Sequence, residues 1–243
     1  LRLFDTGITD RGMVHLGNLC QLTSLAISGG QVSDNGLKAL GALRSLESLW
    51  ITNVRIRGPG LVHLATLPNL EWLNLSRTRL DDEGLRHAAK FRGLTRLVLD
   101  GTCITDAGLP ALAGLERLRE LSLSWTAIGD RGLSFIAGMK SLESISLDGS
   151  RVTDAGMREL RRLNRLKSVN IANTSVTYAG LTELGSITSL KYLFLSTDMP
   201  VTPRVLDRLK ARVPSLHIIT VDNTGRRRYR ELHPGKAGRR PTN

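Results

Sequence analysis

Six aspartates, Asp10, Asp34, Asp82, Asp106, Asp130 and Asp154, stand 24 residues apart or at twice that interval. A row of carboxylates is the raw material of a calcium ladder, because a hard cation takes several oxygen ligands at once. Ligands spread at such intervals are not clustered, however. Each aspartate also stands where a helical pattern begins, and a carboxylate at the positive end of its own helix accounts for the row without a metal. His15, His63 and His87 form a second column, but two neighbouring imidazoles lack the further ligands that a zinc site needs. We expect no metal and no cofactor. The sequence also contains no nucleophile elbow, no phosphate-cradling glycine loop and no metalloprotease helix, and its glycines follow a period instead of gathering round a ligand. A non-catalytic role is expected.

The remaining chemistry is recognition. Trp50 and Trp72, with Trp125 further along, stand among small polar residues. Large rigid aromatics surrounded by adaptable hydrogen-bonding groups are what an interface uses as anchors. The candidate partner-binding set is Trp50, Trp72, Trp125, Asn74, Arg77, Arg96, Tyr192 and Phe194.

The elements that position these residues come from a repeat. Leucine recurs at Leu22, Leu46, Leu70, Leu94, Leu118, Leu142, Leu166 and Leu190, a spacing of 24 residues without insertion. The unit is complete in "LTRLVLDGTCITDAGLPALAGLER" from Leu94. Leu97 and Leu99 alternate with Arg96, Val98 and Asp100, the period of a strand with one buried face. Leu109, Leu112, Leu115 and Leu118 then return at intervals of three, a helical or 3₁₀ face closing on the same core. Between them, "TCITDAGL" reads as a helix start, with Thr105 as N-cap and Ile104 and Leu109 as a hydrophobic staple. Thr6, Thr78, Thr102, Thr126, Ser150 and Thr174 form a column expected to turn inward and satisfy backbone groups at the bend. Gly30 and Val54 interrupt it, so the second and third repeats are expected to be its weakest stretch. There too Arg57 and Gly58 replace the usual Thr-Asp pair.

The repeat L-x-x-L-x-L-x-x-T-x-I-T-D-x-G-L-x-x-L-x-x-L resembles the leucine-rich-repeat family. Its ITDxGL core is most similar to the cysteine-containing subtype and its bacterial relatives, with Thr or Ser where that subtype has Cys. The resemblance implies an α/β solenoid over residues 1–221, about nine coils with a concave parallel sheet and a helical or 3₁₀ convex side. Residues 190–221 depart from the period, as a C-terminal capping coil would. The candidate aromatics then share the concave face, Trp50 and Trp72 in diagonal register and Trp125 at the rim.

The whole chain has 243 residues, 41% hydrophobic and only 4% aromatic, and a net charge of +12. Leu1 falls inside a strand pattern, so an N-terminal cap is expected to be missing from the sequence. Residues 222–243 lack periodicity and read as a disordered basic tail. From Arg226 to Asn243 there are seven Lys or Arg against one Glu, a net of +6. Arg226, Arg227, Arg228 and Arg230 make an electrostatic arm for an acidic protein, RNA or anionic lipid. The concave face itself reads as near neutral, Arg2, Arg77 and Arg96 being set against Asp5, Asp100, Glu120 and Asp148, without the continuous basic stripe of a nucleic-acid groove.

The leading expectation is therefore a monomeric module that binds a protein or peptide on its concave face. The alternatives are the substrate-selecting part of a larger enzyme, as in ubiquitin ligases whose recruiting subunits carry similar repeats, and association with nucleic acid or an anionic surface through the tail. No F-box segment supports the first alternative. No membrane-spanning run is seen, and Cys20 and Cys103, four coils apart, do not point to an oxidising compartment, which tilts the compartment towards the cytoplasm.

Overall fold

A computed structural model describes residues 1–199 and 201–221 and, as backbone, Arg230–Glu231. Ten parallel strands follow one another in chain order in a single sheet: β1 (Arg2–Phe4), β2 (Ser24–Ser28), β3 (Ser48–Thr52), β4 (Trp72–Asn74), β5 (Arg96–Val98), β6 (Glu120–Ser122), β7 (Ser144–Ser146), β8 (Ser168–Asn170), β9 (Tyr192–Ser196) and β10 (His217–Val221). Arg230–Glu231 adds β11, antiparallel to β10. That short strand falls inside the stretch whose sequence shows no strand period. The positions of Arg226, Arg227 and Arg228 lie outside the described residues.

The register is that of the repeat, with Leu49, Leu73, Leu97 and Leu121 side by side. The return segments are α1 (Asp10–Leu16), α2 (Leu37–Leu40), α3 (Leu61–Leu64), α4 (Asp82–Leu85), α5 (Asp130–Ile136), α6 (Asp154–Leu160), α7 (Tyr178–Leu184) and α8 (Pro203–Arg212), with 3₁₀ turns at Arg86–Lys90 and Leu109–Leu112. Leucines from both sides meet in one continuous core, Leu97, Leu99, Leu112 and Leu118 being wholly buried. Among the described residues no helix is long and apolar enough to cross a membrane.

Two columns close the coils. In the first, Thr78, Thr102 and Thr126 are buried, and their hydroxyls donate to the carbonyls of Leu75, Leu99 and Leu123 at 2.8, 2.7 and 2.6 Å. Thr174 does the same to Ile171. Thr6, in the first coil, is exposed, and the buried Ser150 hydroxyl has no partner among the described residues. Val54 is buried in this column, and β2 and β3 beside the two interruptions have five residues each.

The second column differs from the sequence expectation. Asp10, Asp82, Asp130 and Asp154 do stand in the first turn of their own helices, but their side-chain hydrogen bonds reach forward into the next coil. Asp130 accepts from Thr153 N at 2.8 Å, from Thr153 Oγ1 at 2.6 Å and from Gly156 N at 3.0 Å. Asp154 repeats the pattern on Thr177 and Gly180, and Asp10 and Asp82 hold Ser33 and Thr105 through both main chain and hydroxyl. The physical reason is the stacking distance: strands about 4.8 Å apart bring the next helix N-terminus, with its free N–H groups, within reach of a carboxylate. Thr153 and Thr177 are N-caps as well, their hydroxyls accepting from Ala155 N and Ala179 N at 3.3 Å, whereas the Thr105 hydroxyl accepts from Ala107 N but the 3₁₀ turn there begins only at Leu109, with Gly108 as its cap.

The invariable glycine of the repeat follows from this clamp. A Cβ on Gly156 would stand 2.5 Å from Asp130 Oδ1, and one on Gly180 2.5 Å from Asp154 Oδ1. In the irregular coil Gly58 has no carboxylate to offer; it lies with φ +125° directly against the backbone of Gly84, while Asp81 caps its own helix by accepting from Gly84 N at 2.9 Å. Burial pushes the Asp154 carboxyl up, but the hydrogen bonds from Thr177 and Gly180 outweigh it and hold the group below its ordinary value. A lowered value means that this clamp stabilises the fold above the ordinary aspartate range and weakens as pH falls through the lowered value.

Charge-assisted hydrogen bonds of this kind contribute roughly 1.5–3 kcal/mol each when broken singly. Asp130→Ala should therefore lower the unfolding free energy by about 2–4 kcal/mol in urea titrations. Gly156→Ala should also destabilise, and less so when Asp130 is already alanine. Additive effects of the two substitutions would contradict the clamp.

Candidate functional site

The concave face is built from strand positions that point away from the core, and the register sorts them into rows. One row runs Ser48, Trp72, Arg96, Glu120, Ser144, Ser168 and Tyr192; the next runs Ala26, Trp50, Asn74, Val98, Ser122, Ser146, Asn170 and Phe194. Trp50 and Trp72 are diagonal neighbours, and their rings meet edge to face at 72° with centroids 4.4 Å apart. The Arg96 guanidinium carbon stands 5.1 Å from the Trp72 ring centre, and Arg96 Nε pairs with Glu120 Oε1 at 3.0 Å. Four strands thus carry an unbroken line of indole, indole, guanidinium and carboxylate. Both tryptophans are half-buried by one another and by their neighbours, and Trp72 Nε1 is buried without an acceptor among the described residues.

Beyond this line the face opens into a trough of about 820 Å³. Its floor is hydroxyl-rich: Ser122 Oγ donates to Asp100 Oδ1, as does Ser124 N at 2.9 Å, and Ser124 Oγ lies 2.8 Å from Ser146 Oγ. Asp148, two strands on, accepts from Asn173 Nδ2 at 2.7 Å. Burial pushes the Asp148 carboxyl above its ordinary value and the charge of Asp100 adds to the rise, against the Asn173 hydrogen bond. Phe194 and Val221 close one end, and Arg77 stands towards the other.

Backbone geometry sets the rim. The residue that ends each strand turn has positive φ in coil after coil: Asp5, Gly29, Asn53, Arg77, Gly101, Trp125, Gly149 and Asn173. Glycine, asparagine and aspartate tolerate that region; arginine and tryptophan there cost roughly 1–2 kcal/mol. Arg77 (φ 56°) and Trp125 (φ 56°) are thus costly choices, and both line the trough. The Trp125 indole lies over Gly149, where a Cβ would come 2.6 Å from the ring, and it is still 62% exposed.

The structure therefore divides the sequence-predicted residues. Trp50, Trp72 and Arg96 come together in the aromatic line; Trp125, Arg77 and Phe194 line the trough. Asn74 lies beside Trp50 in the register and turns its Oδ1 to Ser76, accepting from Ser76 N at 2.9 Å and Ser76 Oγ at 2.6 Å. Tyr192 belongs to neither group and stacks on His217 with centroids 5.6 Å apart. Of the tail, Arg230 contributes backbone to β11, and Arg226, Arg227 and Arg228 lie outside the described residues. Sequence reasoning counted Asp100 and Asp148 as concave-face charges but not as site residues. Their shared repeat position was the available signal.

A one-sheet solenoid of short parallel strands with a leucine core is the leucine-rich-repeat architecture. The leucine-rich-repeat family model matches residues 18–41, 66–86, 94–113 and 117–137. These stretches are leucine-rich repeats, and the general role that such repeats support is that of a protein-interaction module. Its fold is similar to that of an internalin (inlF) from Listeria monocytogenes, with 23% identity, a TM-score of 0.64 and 86% of this chain covered. The chain spans 56% of that protein's length. It is also similar in fold to an internalin C2 (inlC2) from the same organism, with 19% identity, a TM-score of 0.51, and 78% of this chain and 84% of that one covered. No curated protein matches the chain.

Trp125→Gly should leave the unfolding free energy unchanged or raise it by up to about 1 kcal/mol, since glycine fits the positive φ. A loss of the roughly 3–5 kcal/mol typical of a core tryptophan would refute the rim reading. The Asp148 carboxyl, followed by carbon-detected NMR, should titrate above the ordinary aspartate value, and Asp100→Asn should bring it down. Because its folded value is raised, this group favours folding at low pH and loses that contribution as pH rises through the raised value.

Proposed function

We propose that the chain is a non-catalytic recognition module that binds a protein or peptide laid across its concave sheet, anchored at Trp50 and Trp72. The observation that carries this reading is the aromatic line on the sheet. Two indoles in edge-to-face contact make a fixed apolar surface on the sheet, and Arg96 over Trp72 supplies orientation. The adjoining trough gives an extended partner somewhere to continue. Tryptophan and arginine are the residue types enriched in interface hot spots, and a polar rim is what surrounds such a cluster.

Affinity capture with the intact chain, followed by titration of the captured partner, tests the proposal. Trp50→Ala and Trp72→Ala should each weaken binding by at least about 2 kcal/mol, some 30-fold, while circular dichroism shows the repeat intact. Folded variants that hold the partner undiminished defeat it.

A further inference from the structure

We infer that the trough takes a cationic protein segment, with arginine or lysine side chains seated at Asp100 and Asp148 and one of them lying on the Trp125 indole. The inference rests on the concave-face reading above and narrows the partner's chemistry.

Charge is the first argument. The chain carries a net +12, yet among the described residues the charged groups lining the trough are Asp100, Asp148 and Arg77, a local excess of negative charge. Several glutamates elsewhere meet cations: Glu120 meets Arg96, Glu143 meets Lys167 at 2.6 Å, and Glu183 meets Arg161 at 2.9 Å. Asp100 and Asp148 form no ion pair among the described residues; their partners are Ser122, Ser124 and Asn173. Both are half-buried, and burial with the neighbouring charge of Asp100 disfavours the Asp148 carboxylate despite its hydrogen bond from Asn173. An incoming cation would supply it.

Shape is the second. Trp125 offers a ring face 62% exposed, fixed by its backbone and by Gly149 beneath it, on the coil between the two aspartates. A guanidinium or ammonium over an indole is attracted by the negative face of the ring, and more strongly where the pair is shielded from water. Spacing is the third. Asp100 and Asp148 hold the same place two coils apart, hence about 10 Å from each other along the sheet. A polyproline II segment advances about 3.1 Å per residue with three residues per turn, so cations three residues apart stand about 9.3 Å apart on one side. The favoured occupant is therefore an extended segment with basic residues at i and i+3.

The test uses the full chain and fluorescence anisotropy of a fluorescein-labelled peptide, Ser-Gly-Arg-Pro-Pro-Arg-Gly-Ser, against its counterpart with Glu for both Arg. The arginine peptide should bind and the glutamate peptide should not. Asp100→Asn, Asp148→Asn and Trp125→Gly should each weaken binding at least about tenfold, while Glu116→Gln, which removes the same charge from the convex side, leaves it unchanged. Trp125→Gly keeps the test decisive if an aspartate variant fails to fold. No binding, equal binding of both peptides, or indifference to all three trough substitutions overturns the inference. So does binding that appears only when Arg226, Arg227 and Arg228 are changed to Ser, which would assign the trough to the chain's own arginines. The two readings separate on a captured partner: loss on Trp50→Ala with no response to Asp148→Asn keeps the concave-face reading and removes this one.

Discussion

Everything in this molecule depends on how one coil holds the next at the side away from the sheet. Strands hydrogen-bond to their neighbours by geometry alone, and leucines bury themselves by apolar area, but neither fixes the turn where each helix begins. The aspartate clamp does: one carboxylate takes two main-chain N–H groups and a hydroxyl from the following coil, as Asp130 does with Thr153 and Gly156. The donors are those that a helix N-terminus leaves free, so the clamp satisfies them and ties the coils in one contact. The glycine three residues past the threonine is the space in which the carboxylate sits.

Because the clamp and the threonine column close the convex side and the bends, the concave side chains are released from structural duty. They differ from coil to coil as a recognition surface requires. The clearest sign is the turn column, where a positive φ suits glycine, asparagine or aspartate, yet coils four and six place arginine and tryptophan there. Such substitutions stand out because the backbone does not ask for them. Trp125 is large, costly at its φ and mostly exposed, and it borders a trough whose two carboxylates form no ion pair among the described residues.

The periodic parts of this architecture were legible in the residues. Strand and helix faces, the Trp50–Trp72 diagonal and the inward threonines all follow from spacing, because a 24-residue period fixes which side chains become neighbours. The clamp was not legible, since Asp130 and Gly156 are 26 positions apart and their contact appears only when coils are stacked. The acidic character of the trough was hidden for a related reason. Summed over the face, Arg96 offsets an aspartate, whereas in space Arg96 is held by Glu120 and Trp72, and Asp100 and Asp148 are left to serines and an asparagine. The exposed Trp125 ring was visible as a residue type, but its left-handed backbone was not.

Native-state hydrogen exchange on the intact chain tests the clamp most directly. Thr105, Thr153 and Thr177 sit on convex turns, and Thr177 is solvent-exposed. If their N–H groups are held by the preceding aspartates, they exchange as slowly as the amides of Leu121 and Ile145 in the sheet. Exchange at the rate of an unprotected loop would mean that the coils stack without these carboxylates, and the account of why the concave face is free would fall with them.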